Sequence, residues 1–267
     1  MALSAKKWAV VIVGLVWVAA AVGRSADEPS RPLAIVASDR RESALIEGSL
    51  TGNSERIQQG YRFVTGSIGR QRVVICNTGV GKINAAAAVM LLLVEYKPAS
   101  VTMVGVAGAI SEKLGPGDVV IGAETTLHDV GVLSDKGWEP RRFKRPTDAA
   151  DDPVFLPADP QLLKAYPADK AAPEQRVVRG VIATGDVFLA SREKKTELRE
   201  RCRADAVDME SAAAAQVCWQ QKIPFIAVRA VCDRADGSAH EDYLANLDKA
   251  ARAAGSIVLQ GLGDPPH

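Results

Sequence analysis

Two acidic residues in the C-terminal third of the chain stand where an α/β protein can use them for chemistry. Residues 206–236 read AVDMESAAAAQVCWQQKIPFIAVRAVCDRAD and contain Glu210 and Asp233. The alanines after Glu210 are strong helix formers, so a helix is predicted at 212–219. The apolar run at 225–231 predicts a strand that ends just before Asp233. In an open α/β sheet, ligands bind beyond the carboxyl ends of strands and at helix N-termini, so both carboxylates face the region where substrates bind.

The positions of these two acids predict different protonation states. A carboxylate in the first turn of a helix is kept ionised by the helix dipole, so Glu210 is expected to accept two hydrogen bonds from a polar ligand. Asp233 follows a buried strand, and partial burial raises the pKa of a carboxyl group. The alternative is that Glu210 only caps its helix and that Asp233 lies in a surface turn.

The composition favours a single α/β domain and excludes several other classes of protein. The chain has 267 residues, 47% of them hydrophobic, and can bury a substantial core. Aromatic residues make up only 5%, and the abundance of alanine, valine and glycine suits a layered α/β protein better than a β-sandwich. The net charge is +1, without a basic stripe, which is not the pattern of a nucleic-acid-binding protein. We predict one domain over residues 27–267.

Residues 1–26 differ in character from the rest of the chain. Lys6 and Lys7 precede the apolar run 8–22, which carries small residues at 19–21. A basic start, a short apolar core and small residues near its end are typical of a secretory signal peptide. The run is shorter than the ~20 apolar residues that a spanning helix prefers, and an uncleaved membrane anchor is the alternative. We therefore expect an exported protein, periplasmic or secreted, or one anchored to the membrane by this segment.

Neither the cysteines nor the histidines form a recognisable metal site. The four cysteines lack CxxC or zinc-ligand spacing, and buried thiols fit the apolar runs around Cys76 and Cys232. The three histidines are scattered, so no catalytic metal and no cofactor are predicted. The loop TGVGK at 78–82 lacks the first glycine and the Ser or Thr of a phosphate-binding P-loop, which argues against an ATP site. Its glycines still allow backbone N–H groups to approach a ligand closely.

The rest of the chain alternates between strand and helix patterns. Strands are predicted at 33–38, 61–68, 72–77, 100–106, 117–127 and 176–184, in addition to 225–231. Helices are predicted at 41–50, 83–96 and 243–259, together with a charged helix that begins at 191. Between 134 and 174 the composition turns polar and rich in proline, which predicts a long excursion carrying one short helix at 160–166. This alternation is typical of an α/β fold.

The order of several short motifs along the chain carries a family resemblance. The motifs are GVGKINAAAA, VGVAGAI, GDVV, TGDVF, VDMESAA and VRAVCDRAD. This ordered set, which spans residues 33–259, resembles the nucleoside phosphorylase and nucleosidase superfamily. Within it the chain is most similar to the 5′-methylthioadenosine/S-adenosylhomocysteine nucleosidases. The resemblance implies a three-layer α/β/α sandwich around a mixed, twisted central sheet and, as is usual for the hydrolases of the family, a homodimer.

The resemblance also implies roles for both acids and for the residues around them. Cleavage of an N-glycosidic bond builds positive charge on the ribose and negative charge on the departing purine. Asp233 matches the residue that protonates the purine near N7. Glu210, with the backbone of Met209, matches the pair that binds the ribose 2′- and 3′-hydroxyls.

Further positions carried over from the family would surround the rest of the nucleoside. Phe188 matches the aromatic residue that stacks on the purine, and the backbone beside Leu189 would bind the edge of the base. Tyr243 matches an aromatic residue that contacts the 5′ substituent, and Val80 matches an apolar residue nearby. The alternative for Phe188 is simple core packing.

Glu42 is the residue that separates hydrolysis from other reactions. Aligned on the first strand and helix of the family, Glu42 stands where the hydrolases carry the general base for water, and the alternative is a solvated residue on a helix face. Val106, counted among the substrate-binding residues, replaces a hydroxyl residue that helps phosphorylases to hold phosphate, which argues against phosphorolysis. Arg40 or Arg41 could still bind an anion. Cys232 stands where serine is more common, and the sequence assigns it no role.

The sequence therefore predicts an exported enzyme that hydrolyses the N-glycosidic bond of a purine nucleoside. The substrate would be 5′-methylthioadenosine, S-adenosylhomocysteine or a related adenosine derivative, and the products would be free base and pentose. Two alternatives stay open, a phosphate-dependent purine nucleoside phosphorylase and a non-catalytic protein that binds or stores nucleosides. The expected partners are the small-molecule nucleoside and a second copy of the chain. No nucleic acid is expected, and a membrane is expected only if residues 1–26 stay attached.

Overall fold

The computed structural model describes residues 30–146, 152–166, 168 and 175–263. The signal peptide or anchor expected at residues 1–26 lies outside these ranges. From Arg31 onward the chain forms one compact unit. In the described part of the chain, no helix combines the length and the apolar character that crossing a membrane requires.

Strands and helices alternate over most of the described residues. The helices are α1 (Arg40–Glu47), α2 (Lys82–Tyr96), α3 (Pro160–Ala165), α4 (Arg192–Cys202), α5 (Ser211–Gln220) and α6 (Ala239–Gly263). The strands are β1 (Leu33–Ala37), β2 (Thr51–Gln58), β3 (Tyr61–Ile68), β4 (Gln71–Asn77), β5 (Ser100–Ala109), β6 (Val119–Leu127), β7 (Gly131–Ser134), β8 (Gly137–Pro140), β9 (Leu156–Pro157), β10 (Val177–Thr184), β11 (Ala206–Asp208) and β12 (Phe225–Asp233). Every strand and helix predicted from the sequence is present, with shifted ends.

Some short or exposed strands have no signal in the sequence. Strand β2 is exposed along nearly its whole length, so it shows no alternation of apolar and polar residues. Strand β11 has three residues, too few to reveal a period. The segment predicted as a polar excursion contains the short helix α3, as expected, and also strand β9 and most of the β7–β8 hairpin.

Ten strands of the described residues form one mixed sheet in the order β11-β10-β6-β12-β5-β1-β4-β3-β2, with β9 beside β6. Strands β4, β1, β5 and β12 run parallel to one another, whereas β6 runs antiparallel to β12 and β10 runs parallel to β6. Strand β11 pairs with β10 and also with β5. One half of the sheet therefore curls until β11 bridges its two sides.

Helices cover both faces of this sheet, and each face has its own hydrophobic core. Helices α1 and α6 pack together on one face, and α2 and α5 pack together on the other. Ile35 belongs to the core beneath α1 and α6. Its neighbour Val36 belongs to the core beneath α2 and α5, because successive side chains of a strand point to opposite faces. This is the three-layer α/β/α architecture with a mixed sheet that the sequence predicts.

Candidate active site

A cavity of about 380 Å³ opens at the carboxyl ends of β1, β5 and β12. All the residues that the sequence assigned to catalysis or substrate binding line it, namely Glu42, Val80, Val106, Phe188, Leu189, Met209, Glu210, Asp233 and Tyr243. The wall also includes Ser38, Asp39, His240 and Leu247, which the sequence did not assign. The fold thus brings an acid from near the N-terminus beside two acids from the C-terminal third.

The bridge made by β11 explains how strands of opposite direction serve the same cavity. Strand β10 runs against β12, but β11 joins β10 to β5 and turns the carboxyl ends of β10 and β11 toward the cavity. Thr184 Oγ1 donates to Asp208 Oδ1 at 2.5 Å, and the Gly185 N–H donates to the Asp208 carbonyl at 3.1 Å. The loop that carries Phe188 and the turn that carries Glu210 begin at these two strand ends.

Glu42 is buried in the first turn of α1, with 3% of its surface exposed. Its Oε2 accepts hydrogen bonds from Ser38 N–H (2.8 Å), Ser38 Oγ (2.5 Å) and Asp39 N–H (3.2 Å), and its Oε1 accepts from Val106 N–H (2.9 Å). Asp39 and Glu42 together form a capping box at the start of the helix. Glu42 is therefore not a solvated residue on a helix face. A carboxylate fixed in this way at a cavity can take a proton from a ligand or a water molecule without rearranging.

Arg229, in the middle of β12, is a buried hub that the sequence reasoning missed. Its side chain is 0% exposed, and its Nε lies 2.8 Å from Asp208 Oδ2. Its Nη2 lies 3.2 Å from Glu210 Oε2, and its Nη1 lies 3.8 Å from Glu42 Oε1. Within the described residues, Nη1 has no hydrogen-bond partner. One positive charge is thus shared by three buried carboxylates. The signal was an arginine inside an otherwise apolar strand, FIAVRAVCD.

Glu210 stands immediately before α5 rather than within its first turn, and only 4% of it is exposed. Its side chain makes no capping bond to the helix; instead Oε1 accepts from Gly81 N–H at 2.8 Å. Burial raises the pKa of Glu210 to about 7, against the opposing effect of Arg229 and with the support of Asp208. Burial therefore acts against the expectation that Glu210 stays ionised, because desolvation disfavours the charged form.

Asp233 ends β12 as a buried carboxyl group, with 3% of its surface exposed. Its Oδ1 accepts from Ala235 N–H at 2.8 Å, and its Oδ2 lies 3.1 Å from Cys232 Sγ. Burial raises the pKa of Asp233, although both of these contacts act in the opposite direction. The direction agrees with the expectation from the sequence. The cavity therefore holds a carboxyl group that keeps a proton to higher pH than an exposed aspartic acid does.

Two glycines of the VGVAGA motif allow the side chains of Glu42, Arg229 and Asp233 to lie against β5. A Cβ atom at Gly105 would lie 2.5 Å from Glu42 Oε1 and would also clash with Arg229 Nη1. A Cβ atom at Gly108 would lie 2.8 Å from Asp233 Oδ1. Both acids approach the strand backbone more closely than any larger residue permits. The two glycines of this motif therefore make room for the side chains of the site.

An aromatic group forms the rim of the cavity. The ring of Phe188 meets the rings of Tyr243 and His240 edge to face, with centroids 5.8 and 6.3 Å apart and interplanar angles of 84° in both pairs. Phe188 is 44% exposed, so the alternative of simple core packing does not describe it. Its free face offers a flat apolar surface on which an aromatic ring can stack.

An ion-pair cluster ties together two loops that line the cavity. Lys82 Nζ lies 2.7 and 2.6 Å from the two carboxylate oxygens of Asp129. The Lys82 N–H donates to Asp186 Oδ1 at 2.8 Å, and the Asp186 N–H donates to Asp129 Oδ2 at 2.9 Å. The loop of Val80 is thereby held against the loop of Phe188.

Replacing Arg229 with methionine should lower the free energy of unfolding by about 3–5 kcal/mol, because three buried carboxylates would lose their counter-charge. Arg229→Lys should lose less, since it keeps the charge but not the planar fork. Urea denaturation followed by circular dichroism measures both. The control is Arg192→Met, because Arg192 is 85% exposed and pairs with Asp236 at only 3.9 Å, which predicts a change below about 1 kcal/mol. Equal losses at the two arginines would contradict the role of Arg229 as a hub.

The described residues contain no cluster that could hold a metal ion, and the two arginines considered for anion binding lie outside the cavity. No group of three or more His, Cys, Asp or Glu side chains in this part of the chain is arranged to hold a metal ion. The four cysteines are free and buried, which confirms the prediction of buried thiols. Arg40 and Arg41 do not line the cavity and border a separate depression beside Glu47 and Asn53. Neither arginine is therefore placed to bind an anion in the cavity.

Comparison with known sequences gives a match over almost all of the described chain. The sequence model of the phosphorylase superfamily matches residues 32–262. A curated relative, the 5′-methylthioadenosine/S-adenosylhomocysteine nucleosidase of Staphylococcus aureus strain JH9, is 32% identical over 227 residues. This alignment covers 85% of the present chain and 96% of the relative.

Solved structures give a match of the same extent. A 5′-methylthioadenosine/S-adenosylhomocysteine nucleosidase from Neisseria meningitidis, in complex with methylthio-immucillin-A, superposes with a TM-score of 0.78 at 29% identity, covering 87% of this chain and 98% of the other. The nucleosidase of the same name from Colwellia psychrerythraea 34H, in complex with adenine, gives a TM-score of 0.78 at 29% identity, with coverages of 88% and 96%. These matches confirm the fold predicted from the sequence.

Proposed function

This chain belongs to the phosphorylase superfamily, and we propose that it cleaves 5′-methylthioadenosine, S-adenosylhomocysteine or a related adenosine derivative to free base and pentose. It is an enzyme, a hydrolase of the N-glycosidic bond in adenosine-type nucleosides. One observation carries the assignment of roles: Glu42, Glu210 and Asp233 line the same cavity of about 380 Å³. Each acid meets a different part of a nucleoside placed there.

The ribose is the part that gains positive charge as the bond between C1′ and the purine nitrogen breaks. The transition state resembles an oxocarbenium ion, as in the hydrolysis of other glycosides. The carboxylates of Glu42 and Glu210, which line the cavity, favour that charge. Glu210 binds the ribose hydroxyls together with the backbone of Met209. Since hydroxyl donors favour the ionised form of a carboxyl group, sugar binding moves Glu210 toward its carboxylate form.

Water is the nucleophile, and Glu42 takes its proton. Glu42 lines the cavity, and its two carboxylate oxygens are fixed by donors from Ser38, Asp39 and Val106. A water molecule beside C1′ can give its proton to this carboxylate. Attack of this water at C1′ gives the pentose with a new hydroxyl group, and the proton released from the water goes to Glu42.

The departing purine takes up negative charge, which Asp233 neutralises by giving its proton to N7. Burial raises the pKa of Asp233, so the group keeps that proton to a higher pH than an exposed aspartic acid does. The free face of Phe188 stacks on the base, and the backbone at Leu189 binds its edge. Tyr243 and Val80 border the 5′ substituent, where an apolar thioether fits their side chains.

Phosphate as the nucleophile is disfavoured by the charges around the cavity. Among the residues that the structure describes, no lysine or arginine lines it. Arg229, just behind the wall, is engaged by Asp208 and Glu210. Val106 offers only its backbone N–H, which donates to Glu42. A phosphate dianion would therefore meet several carboxylates and, within the described ranges of the chain, no free cation.

The proposal is tested by supplying the full chain with 5′-methylthioadenosine, S-adenosylhomocysteine, adenosine and inosine. Chromatography would follow base release, and mass spectrometry would identify the sugar. We expect adenine and an equal amount of free 5-substituted pentose from at least one of the two thioether nucleosides. A pentose 1-phosphate would support the phosphorylase alternative. Saturable binding without turnover would support the storage alternative.

The functional protein is a homodimer in this proposal, and an exposed apolar stripe on α2 supports it. Ile83, Met90 and Val94 are 81%, 39% and 56% exposed and recur at helical spacing on one side of the helix. The stripe continues toward the cavity through Val80, which is 57% exposed. Contiguous apolar surface of this kind marks a protein interface, and a closed pair of identical chains is its commonest form.

Replacing Ile83 with aspartate should weaken self-association at least about tenfold, because the dimer would bury an unpaired charge at the centre of its interface. Sedimentation velocity over a concentration series measures this. Ile57→Asp is the control, since Ile57 is 63% exposed on the edge strand β2, away from α2. A wild-type protein that sediments as a monomer at all concentrations would refute the dimer.

The enzyme acts outside the cytoplasm in this proposal. The support is the basic start and the short apolar run of residues 1–26. Cell fractionation of a bacterial host expressing the full chain, followed by N-terminal sequencing, tests it. Cleavage near residue 26 with activity in the periplasm or medium supports export, and activity in the membrane fraction with an intact N-terminus supports the anchor. A full-length cytoplasmic protein would contradict both.

A further inference from the structure

A thiol lies directly beside the acid that the proposed reaction uses. Cys232 is 1% exposed and lines the cavity. Its Sγ is 3.1 Å from Asp233 Oδ2 and 3.5 Å from the carbonyl oxygen of Ala107 on β5. The other carboxyl oxygen of Asp233 accepts the N–H of Ala235 at 2.8 Å. Asp233 is therefore held on one side by a strong backbone donor and on the other by a thiol.

The thiol hydrogen has two acceptors within reach, so its choice can follow the state of Asp233. When Asp233 is ionised, the S–H donates to Oδ2. When Asp233 is protonated, the S–H can turn to the Ala107 carbonyl. Burial and the neighbouring Asp233 raise the pKa of the Cys232 thiol, so the group stays a protonated donor and not a thiolate. An S–H group is a weaker donor than a hydroxyl group, so it stabilises the carboxylate of Asp233 only slightly.

We propose that Cys232 is a positioning residue that orients Asp233 and, by donating a weak hydrogen bond, sets how firmly Asp233 holds its proton. This inference rests on the proposed function, in which Asp233 protonates the purine. A stronger donor at this position would favour the carboxylate and make Asp233 release its proton at lower pH. An apolar residue would remove the donor and have the opposite effect.

Other charged groups face Asp233 and stay constant when Cys232 is changed. Asp236, in the loop before α6, and Asp242, on α6, both raise the pKa of Asp233. Strand β5 presents Ala107 and Gly108, which do not titrate. The remaining titratable groups on the cavity wall are Asp39, Glu42, Asp208, Glu210, His240 and Tyr243. A difference in the pKa of Asp233 between the variants can therefore be attributed to the residue at position 232.

The test compares the pH dependence of kcat/KM for adenine release by wild type, Cys232→Ser and Cys232→Ala. Activity needs protonated Asp233, so it is lost as pH rises through the pKa of that group. Serine, the stronger donor, should move this alkaline limb to lower pH by about 0.5–1 unit, and alanine should move it to higher pH by a similar amount. Cys218→Ser is the control, because Cys218 is equally buried but lies away from the cavity. It should leave the limb in place.

Opposite shifts in the two variants would support the proposal, because a role in packing alone lowers activity without moving the limb in two directions. Limbs that stay in place, or that move the same way in both variants, would overturn it. If the alanine variant does not fold, the downward shift in Cys232→Ser decides alone. A wild-type protein that releases no base overturns the proposed function and this inference together, which distinguishes that failure from one at Cys232.

Discussion

Replacing Asp233 with asparagine should reduce the rate of adenine release from 5′-methylthioadenosine by about 10³-fold. Proton transfer from a positioned side chain contributes about 10²–10⁴-fold to a reaction of this kind, and an amide has no proton of comparable acidity to give to N7. The change in shape is small. Because Asp233 is buried beside other acids, removing its ionisable group should leave the fold intact or make it slightly more stable at high pH.

The control for this prediction is Asp135→Asn, in the turn between β7 and β8. Asp135 is exposed and does not line the cavity, so its replacement should change kcat by less than about twofold. Circular dichroism and thermal unfolding would establish that both variants are folded. Turnover by folded Asp233→Asn at the wild-type rate would show that another group protonates the purine.

Replacing Glu42 with glutamine should lower kcat by about 10²–10⁴-fold, with a much smaller effect on KM. The carboxamide oxygen can accept from the N–H groups of Ser38 and Asp39. Its NH2 group can neither accept from the Val106 N–H nor take the proton of the attacking water. Nucleoside binding depends on other residues and should persist. The change therefore removes an interaction that is made only as the water attacks, and such a loss appears in kcat.

The control is Glu47→Gln, the same substitution at another glutamate of α1. Glu47 pairs with Arg62 at 2.6 Å and lies outside the cavity, so its replacement should leave kcat unchanged within about twofold. Steady-state kinetics and the affinity for adenine, measured by calorimetry, would be compared for the two variants. Glu42 would be a structural cap only if Glu42→Gln kept its kcat and instead lost stability.

The positions of the site residues follow from features that a sequence can display. Asp233 ends an apolar strand, and Glu42 follows the first strand at the N3 position of a capping box. The glycines of VGVAGA mark where side chains approach β5. Because parallel strands bring their carboxyl ends to one edge of a sheet, these local signals converge on one cavity. The residues assigned from the family resemblance reach the same place.

The interactions that link these residues were not predictable from local patterns. Arg229 occupies a strand position where an apolar residue is the default, and its partners, Glu42, Asp208 and Glu210, are distant in sequence. They meet because β11 bridges β10 and β5, and a three-residue strand leaves no period to recognise. The protonation of Glu210 depends on this same network. The position of Glu210 before α5 does not by itself reveal the burial that raises its pKa.

The most direct test of water as the nucleophile is the rate of adenine release from 5′-methylthioadenosine in buffer stripped of phosphate. Phosphate would then be added back in steps at constant pH and ionic strength. With Glu42 as the base for water, the account predicts full activity without phosphate and no increase as phosphate is added. Activity that is absent without phosphate and rises to saturation with it would contradict this account.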